Sequence, residues 1–258
     1  MTKSETTWAQ LLVEAVTNPG AMLEAYRAFH NYSVGNQLLA WEQCQARGLS
    51  VGPIATYKAW KAKRRQVMKG SKALQLCMPV TYKTTVVDRE TGMEAEETRQ
   101  RFIYRRNWFV ISQTDGEDLP VEPIPDWDRD TALSNLGIEQ VPFATMNGNA
   151  QGYAVGSTIA INPVAQLPDK TTFHELAHVV LGHTAEATKV SDSETLPRSL
   201  QEAEAESVAL LCLESLDLKG AQYCRGYIQS WLAGAEIPER SAQRIFSATD
   251  KILKAGRV

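Results

Sequence analysis

Two histidines four residues apart, with a glutamate beside the first, stand at His174-Glu175-Leu176-Ala177-His178. On a helix, residues at that spacing share a face, so both imidazoles can reach one ion. This is the His-Glu-x-x-His pattern of zinc sites, and Glu175 is placed to act as general base on a water at the metal. The neighbours Phe173, Leu176, Ala177, Val179, Val180 and Leu181 are apolar, as expected of a helix that carries a polar trio into a core. The chain has only four histidines, which makes the motif a specific signal. Zn2+ is the expected ion.

A zinc site built for catalysis uses three protein ligands and leaves a position open for water. There are three sources for the third ligand. A metzincin pattern would put Gly and His seven and ten residues after the first histidine, but Leu181 and Thr184 stand there. His183 is therefore read as a local feature of the helix end. Cys212 lies deep in an apolar run. Glu202 and Glu206 share one face of a helix expected over residues 198–217, while Glu204 points elsewhere. The run Val208–Leu213 places that helix in the core, and buried carboxylates need partners. Glu202 is assigned as the third ligand and Glu206 as the group that orients a ligand histidine, with the reverse as the alternative.

Other elements must hold these residues in place. Gly182 should stop the metal helix, which starts at Asp169 or Thr171. Before it, residues 151–155 and 158–162 flank Gly156-Ser157 and read as a hairpin. That hairpin is either a strand for an extended substrate or plain scaffold. Further expectations are a helix from Asp126 to Leu136, a strand from Val141 to Thr145, a turn at Asn147-Gly148-Asn149 and a closing helix from Pro238 to Lys254.

In the first half, helices are expected over residues 5–17, 21–30 and from Ser33 to about Arg47, then a short one capped by Thr56. Strand-like runs follow at 73–80, 81–87 and 101–111, with a charged turn over 88–97. Residues 113–125 are acidic, hold three prolines and have no period, so they read as a linker. The fold class is α+β. N-terminal helices on a small antiparallel sheet (1–112) are joined by 113–125 to a mainly helical domain with a short hairpin (126–258).

Net charge is −3, but residues 1–120 carry 16 Lys/Arg against 12 Asp/Glu and residues 121–258 carry 11 against 18. Between Glu42 and Asp88 there is no acidic residue. That window holds Arg47, Lys58, Lys61, Lys63, Arg64, Arg65, Lys69, Lys72 and Lys83, with Tyr57 and Trp60 among them. Cations for phosphates and aromatic faces for unpaired bases are the chemistry of single-stranded nucleic acid. A solvated basic face with Trp60 in the core fits the same composition. No helix-turn-helix or zinc-finger pattern points to a duplex reader. Cys44, Cys77, Cys212 and Cys224 form no CxxC pair, and there is no long apolar run or apolar leader. A cytoplasmic protein with reduced thiols and no membrane contact is expected.

Three motifs carry a resemblance: Asn31-Tyr32-Ser33-x-x-Asn36-Gln37-Leu38-Leu39, Tyr57-x-x-Trp60, and Lys69-Gly70-x-Lys72-Ala73 leading into Leu76-x-x-Pro79. Together they resemble the N-terminal domain of ArdC-type antirestriction proteins over roughly residues 5–112. A domain of that family implies single-stranded DNA binding, with Asn31, Asn36 and Gln37 joining Tyr57, Lys58, Trp60, Lys61, Lys63, Arg64, Arg65, Lys69 and Lys72 as candidate contacts. The family commonly has a Gly-Arg pair after the tryptophan, where this chain has Lys63-Arg64-Arg65. Downstream, His174-Glu175-x-x-His178 followed by Glu202-x-x-x-Glu206-x-x-Ala209 resembles the zincin-like metallopeptidase domain of the same family over about residues 122–233.

The resemblance implies an antirestriction protein of a mobile element, acting during conjugation, with a zinc peptidase auxiliary to DNA binding. The alternative is a zinc-dependent regulatory peptidase that cleaves a protein partner and uses its first domain for targeting.

Overall fold

The computed structural model describes residues 6–87, 94–120, 122–144, 149–184 and 196–258. The chain forms two compact units, Met1–Trp41 with Val121–Val258, and Glu42–Pro120. It is an α+β protein, about half helical.

The larger unit is built round α7 (Arg198–Ser215), in which every residue from Ala203 to Ser215 is buried. A helix with no solvated face must be covered on all sides. Its cover is α6 (Pro168–Leu181), α8 (Ala221–Leu232), α9 (Glu239–Ala255), and α1 (Trp8–Thr17) with α2 (Ala21–Phe29). Thr7 and Gln10 form a capping box at the start of α1, whose buried face is Leu11, Leu12, Ala15 and Val16. Glu239, at the start of α9, accepts from the backbone N–H groups of Trp8 and Ala9. At the other end of α1, the buried Arg225 of α8 donates to the carbonyls of Ala15 and Val16 and to the Glu214 carboxylate of α7. Those carbonyls are left over by the last helical turn, and a cation there satisfies them.

This packing explains why the first 41 residues fold with the C-terminal helices. The division by packing thus differs from the one read along the sequence, 1–112, 113–125 and 126–258. The boundary instead falls within α3 (Val34–Arg47). The larger unit also has a small sheet in the order β6-β8-β7. Strands β7 (Gly152–Val155) and β8 (Thr158–Ile161) form the expected antiparallel hairpin around Gly156-Ser157. Parallel to β8 runs β6 (Glu139–Gln140). This strand precedes the one expected at Val141–Thr145. Residues 141–144 are irregular, and 145–148, with most of the expected turn, lie outside the described residues. Helix α5 (Arg129–Leu136) stops at Gly137, as expected.

In the smaller unit, β1 (Ile54–Thr56), β4 (Glu94–Val110) and β3 (Leu74–Val87) form an antiparallel sheet in the order β1-β4-β3. Leu74, Leu76, Trp108, Val110 and Ile54 make its core. Helix α4 (Tyr57–Ala62) is capped by Thr56, whose hydroxyl accepts from Ala59 N–H. Of the charged turn expected over 88–97, residues 88–93 lie outside the described residues, and β4 already begins at Glu94.

The expected linker is partly structured. Thr114–Gly116 form β5, paired antiparallel with β2 (Arg65–Val67). Arg65 fixes this pairing through hydrogen bonds to Thr114 Oγ1, to the Thr114 carbonyl and to the carbonyls of Gly116 and Glu117. Arg64, within the stretch where the resembled family has a Gly-Arg pair, has a φ of 56°, a left-handed conformation that glycine adopts without penalty. Gly116 pairs with Arg65, and a Cβ there would collide with the Arg64 carbonyl oxygen.

Candidate metal centre and basic groove

Helix α6 begins with Pro168 and ends at Gly182, whose φ of 77° makes the left-handed stop. Between them, the four-residue spacing brings His174 Nε2 and His178 Nε2 to 3.1 Å. Glu202, in the first turns of α7, sets its Oε2 at 3.4 Å from the first nitrogen and 3.5 Å from the second. Among the described residues, these are the one group of three or more donors able to hold a metal ion. Glu206 lies behind His174. Its Oε1 accepts from Lys170 Nζ at 2.7 Å and sits 3.4 Å from His174 Nδ1. The geometry thus separates the two carboxylates: Glu202 faces both Nε2 atoms, while Glu206 faces the back of one ring.

Burial opposes a charge on His174, but the Glu202 and Glu206 carboxylates outweigh it and push the imidazole up to about 9. Hydrogen bonds from His174 and His178 hold Glu202 well below the usual carboxylate range. Three carboxylates round two imidazoles thus make a field that attracts a cation. Two imidazole nitrogens and a carboxylate oxygen suit a divalent metal, so the residues fit the expected group. When bound there, such an ion supplies Lewis acidity and makes a nearby water more acidic.

Glu175 is 7% exposed, and burial raises its carboxyl, opposed by the two imidazoles. A raised carboxyl is suited to shuttling a proton near neutral pH. Gly152 of β7 crosses directly over it. A Cβ on Gly152 would stand 2.6 Å from Thr171 Cγ2 and 3.1 Å from Glu175 Oε1. The cleft beside them encloses about 510 Å3 and is lined by Gln151, Gly152, Lys170, His174, Glu175, Glu206 and Tyr223, among others. Burial, and after it the negative charge of Glu202 and Glu206, raises the Tyr227 phenol, one helical turn from Tyr223.

Sequence reasoning set His183 and Glu204 aside. The Glu204 side chain is fully buried and that of His183 nearly so, and they make contact. His183 Nδ1 is 3.0 Å from His178 Nδ1, and its Nε2 is 2.9 Å from Glu204 Oε2. A missed signal was the position of Glu204 within an apolar helix, where a carboxylate requires a partner.

The basic candidates of the smaller unit divide differently. Tyr57, Lys61, Arg64, Arg65 and Lys69 line a groove of about 990 Å3, together with Gln66, Met68 and Phe109. Lys69 and Lys72 also line a hollow of about 530 Å3 with Arg47. Lys58 and Lys63 are exposed outside that groove. Tyr57 is 48% exposed. Trp60 is not a stacking platform. It is 1% exposed, and its indole N–H donates to the Phe109 carbonyl at 2.8 Å. Arg65 is half-buried and engaged in the β2–β5 pairing. Gln37 is corrected in the same way: its amide is buried and donates to the Tyr32 carbonyl. Asn31 is exposed and donates to Glu122, and Asn36 is half-buried. All three amides belong to the larger unit.

The β3–β4 hairpin, expected from the sequence as strands, was given no candidate contact residue. Phe102 is 69% exposed there, and Arg101 lies 5.5 Å over the Tyr82 ring. The alternation Arg99-Gln100-Arg101 within a strand was the available clue.

Comparison with known proteins gives the following. Residues 3–110 match the N-terminal domain of the anti-restriction factor ArdC. The metal-free crystal structure of the antirestriction ArdC protein from the R388 plasmid is similar to 96% of this chain and 94% of its own, at 20% identity and a TM-score of 0.52. The Mn(II)-bound structure of the same protein is similar over 96% and 97%, at 19% identity and a TM-score of 0.53. A comparison with curated proteins found no match. No helix among the described residues is long and apolar enough to cross a membrane.

Proposed function

We propose that the chain is an antirestriction protein that binds single-stranded DNA, because residues 3–110 match the ArdC N-terminal domain and the whole chain is similar in fold to R388 ArdC. The observation that carries this reading is the groove of the smaller unit, lined by Lys61, Arg64, Arg65 and Lys69 with Tyr57 exposed among them. Exposed cations neutralise phosphates, and an exposed ring stacks on an unpaired base. The protein acts in the cytoplasm on DNA that a mobile element brings in by conjugation.

In the larger unit, His174, His178 and Glu202 would hold zinc, with Glu206 as the support of His174. The Mn(II)-bound R388 ArdC structure supports a divalent ion in this fold. Its chemistry is peptide hydrolysis. Glu175 takes the proton of the attacking water on its carboxylate and passes it to the leaving amine. Gly152, lacking a side chain, leaves room for that carboxylate, and the cleft beside it admits an extended chain.

The completeness of this set, with general base, three donors and cleft, also favours a second reading: a regulatory peptidase that cleaves a protein partner. Glu175→Ala separates the two. If protection of incoming DNA persists while peptide cleavage is lost, the DNA-binding reading stands. If both are lost, the protein acts as a peptidase.

A further inference from the structure

We infer that His183 is a positioning residue for the metal centre, which holds His178 in the one tautomer that turns a bare Nε2 toward His174 and Glu202. The inference rests on the metal-binding reading above. It concerns His183, Glu204 and Arg244, a row that the peptidase chemistry does not use.

The row begins at the helix stop. Gly182 takes the left-handed turn, and His183 N–H then donates back to the His178 carbonyl at 2.9 Å. That turn folds the His183 ring against His178, with centroids 5.2 Å apart and planes at 64°. The two Nδ1 atoms meet at 3.0 Å, and on the far side His183 Nε2 meets Glu204 Oε2 at 2.9 Å. The Glu204 side chain is fully buried and that of His183 is 4% exposed, so water does not compete for these bonds. Arg244 completes the row, 3.5 Å from Glu204 Oε2, with its other nitrogen on the Leu181 carbonyl.

The proton arrangement follows from what each group can donate. His183 Nε2 at 2.9 Å and the Arg244 guanidinium at 3.5 Å converge on the one Glu204 Oε2, so the ring nitrogen faces a carboxylate paired with a cation. An ionised carboxylate only accepts, so His183 must carry its proton on Nε2. A neutral imidazole has one proton, which leaves His183 Nδ1 as an acceptor. The proton between the two Nδ1 atoms therefore belongs to His178. A neutral His178 protonated on Nδ1 has its lone pair on Nε2, the atom 3.5 Å from Glu202 Oε2. Partners of this kind fix the ring orientation and tautomer of metal-binding histidines, and their loss typically costs about 10–100-fold in metal affinity.

The test uses the full-length chain stripped of metal. Long-range 1H–15N NMR should find His183 protonated on Nε2 and His178 on Nδ1. Titration with Zn2+ should show His183→Phe, which keeps a ring but offers no acceptor, binding about 10–100-fold more weakly than the wild type. His183→Asn restores an acceptor oxygen near the Nδ1 position and should recover most of that loss, a rescue that a purely structural role would not produce. If His183→Phe does not fold, Glu204→Gln reads the same row with its shape preserved and should bind about tenfold more weakly. Wild-type affinity in both His183→Phe and Glu204→Gln, or a proton on His183 Nδ1, would overturn the inference. Absence of Zn2+ binding by the wild type would instead overturn the metal reading beneath it.

Discussion

In the centre on α6 and α7, the polar groups are buried or half-buried and backed by others: Glu206 and Lys170 behind His174, His183 and Glu204 behind His178. In the basic unit of residues 42–120, Lys58, Lys61, Lys69 and Lys72 are exposed on the surface. The two regions therefore differ in how their chemistry is distributed. Burial concentrates the effect in a few atoms, because charges interact strongly and unpaired polar groups are costly there. Exposure spreads it over many cations, each screened and each worth little alone. A substitution in the first region should be decisive, and one in the second should be graded.

The largest effect is expected at a ligand. His178→Ala should reduce bound metal to background by mass spectrometry of the purified protein, while its single-strand affinity stays at the wild-type value. A parallel loss of DNA binding would break the separation between the two regions. Next is Arg225→Ala, which strips the α1 carbonyls of their donor and leaves Glu214 buried without its cation. Truncating one member of a buried pair costs about 3–5 kcal/mol, to be read from urea unfolding. Gly152→Ala forces a Cβ against Thr171 and Glu175. It should cost about 1–3 kcal/mol in the same assay and reduce peptide cleavage more than metal content.

The graded effects lie in the smaller unit. Combined Lys58, Lys61, Lys69 and Lys72→Ala should weaken single-strand binding, and each lost phosphate contact should flatten the dependence of log affinity on log salt by about 0.7. Arg65 is left out of this set because it holds β5. Tyr57→Ala should weaken binding about tenfold, as the loss of one stacked base does. Trp60→Phe should lower the melting temperature and leave the affinity of the folded protein unchanged. An effect of Trp60→Phe as large as that of Tyr57→Ala would contradict the buried placement of the indole.

Legibility in the sequence followed the same division. The spacing of His174 and His178 is a helical property, and Glu202 and Glu206 share a face by the same geometry, so local pattern was enough to place them on their helices. His183 and Glu204 were missed because their contact joins two helices through the turn at Gly182, and no periodicity encodes it. Trp60 was ambiguous for a different reason. A tryptophan beside lysines has the same local pattern whether its ring faces solvent or the sheet, and only the Phe109 carbonyl decides. Residues 1–41 read as helices but gave no sign of packing with the C-terminal helices. That packing depends on Arg225 and Glu239, 209 to 231 positions from the α1 groups they bind.

The central claim is that His174, His178 and Glu202 form one metal site, with Glu206 in support. Isothermal titration of the metal-free protein with Zn2+ tests it most directly, run on the wild type, Glu202→Ala and Glu206→Ala. The account predicts one site per chain in the wild type, no measurable binding in Glu202→Ala and about 10–100-fold weaker binding in Glu206→Ala. Wild-type binding in Glu202→Ala, or loss of binding in Glu206→Ala alone, would contradict it.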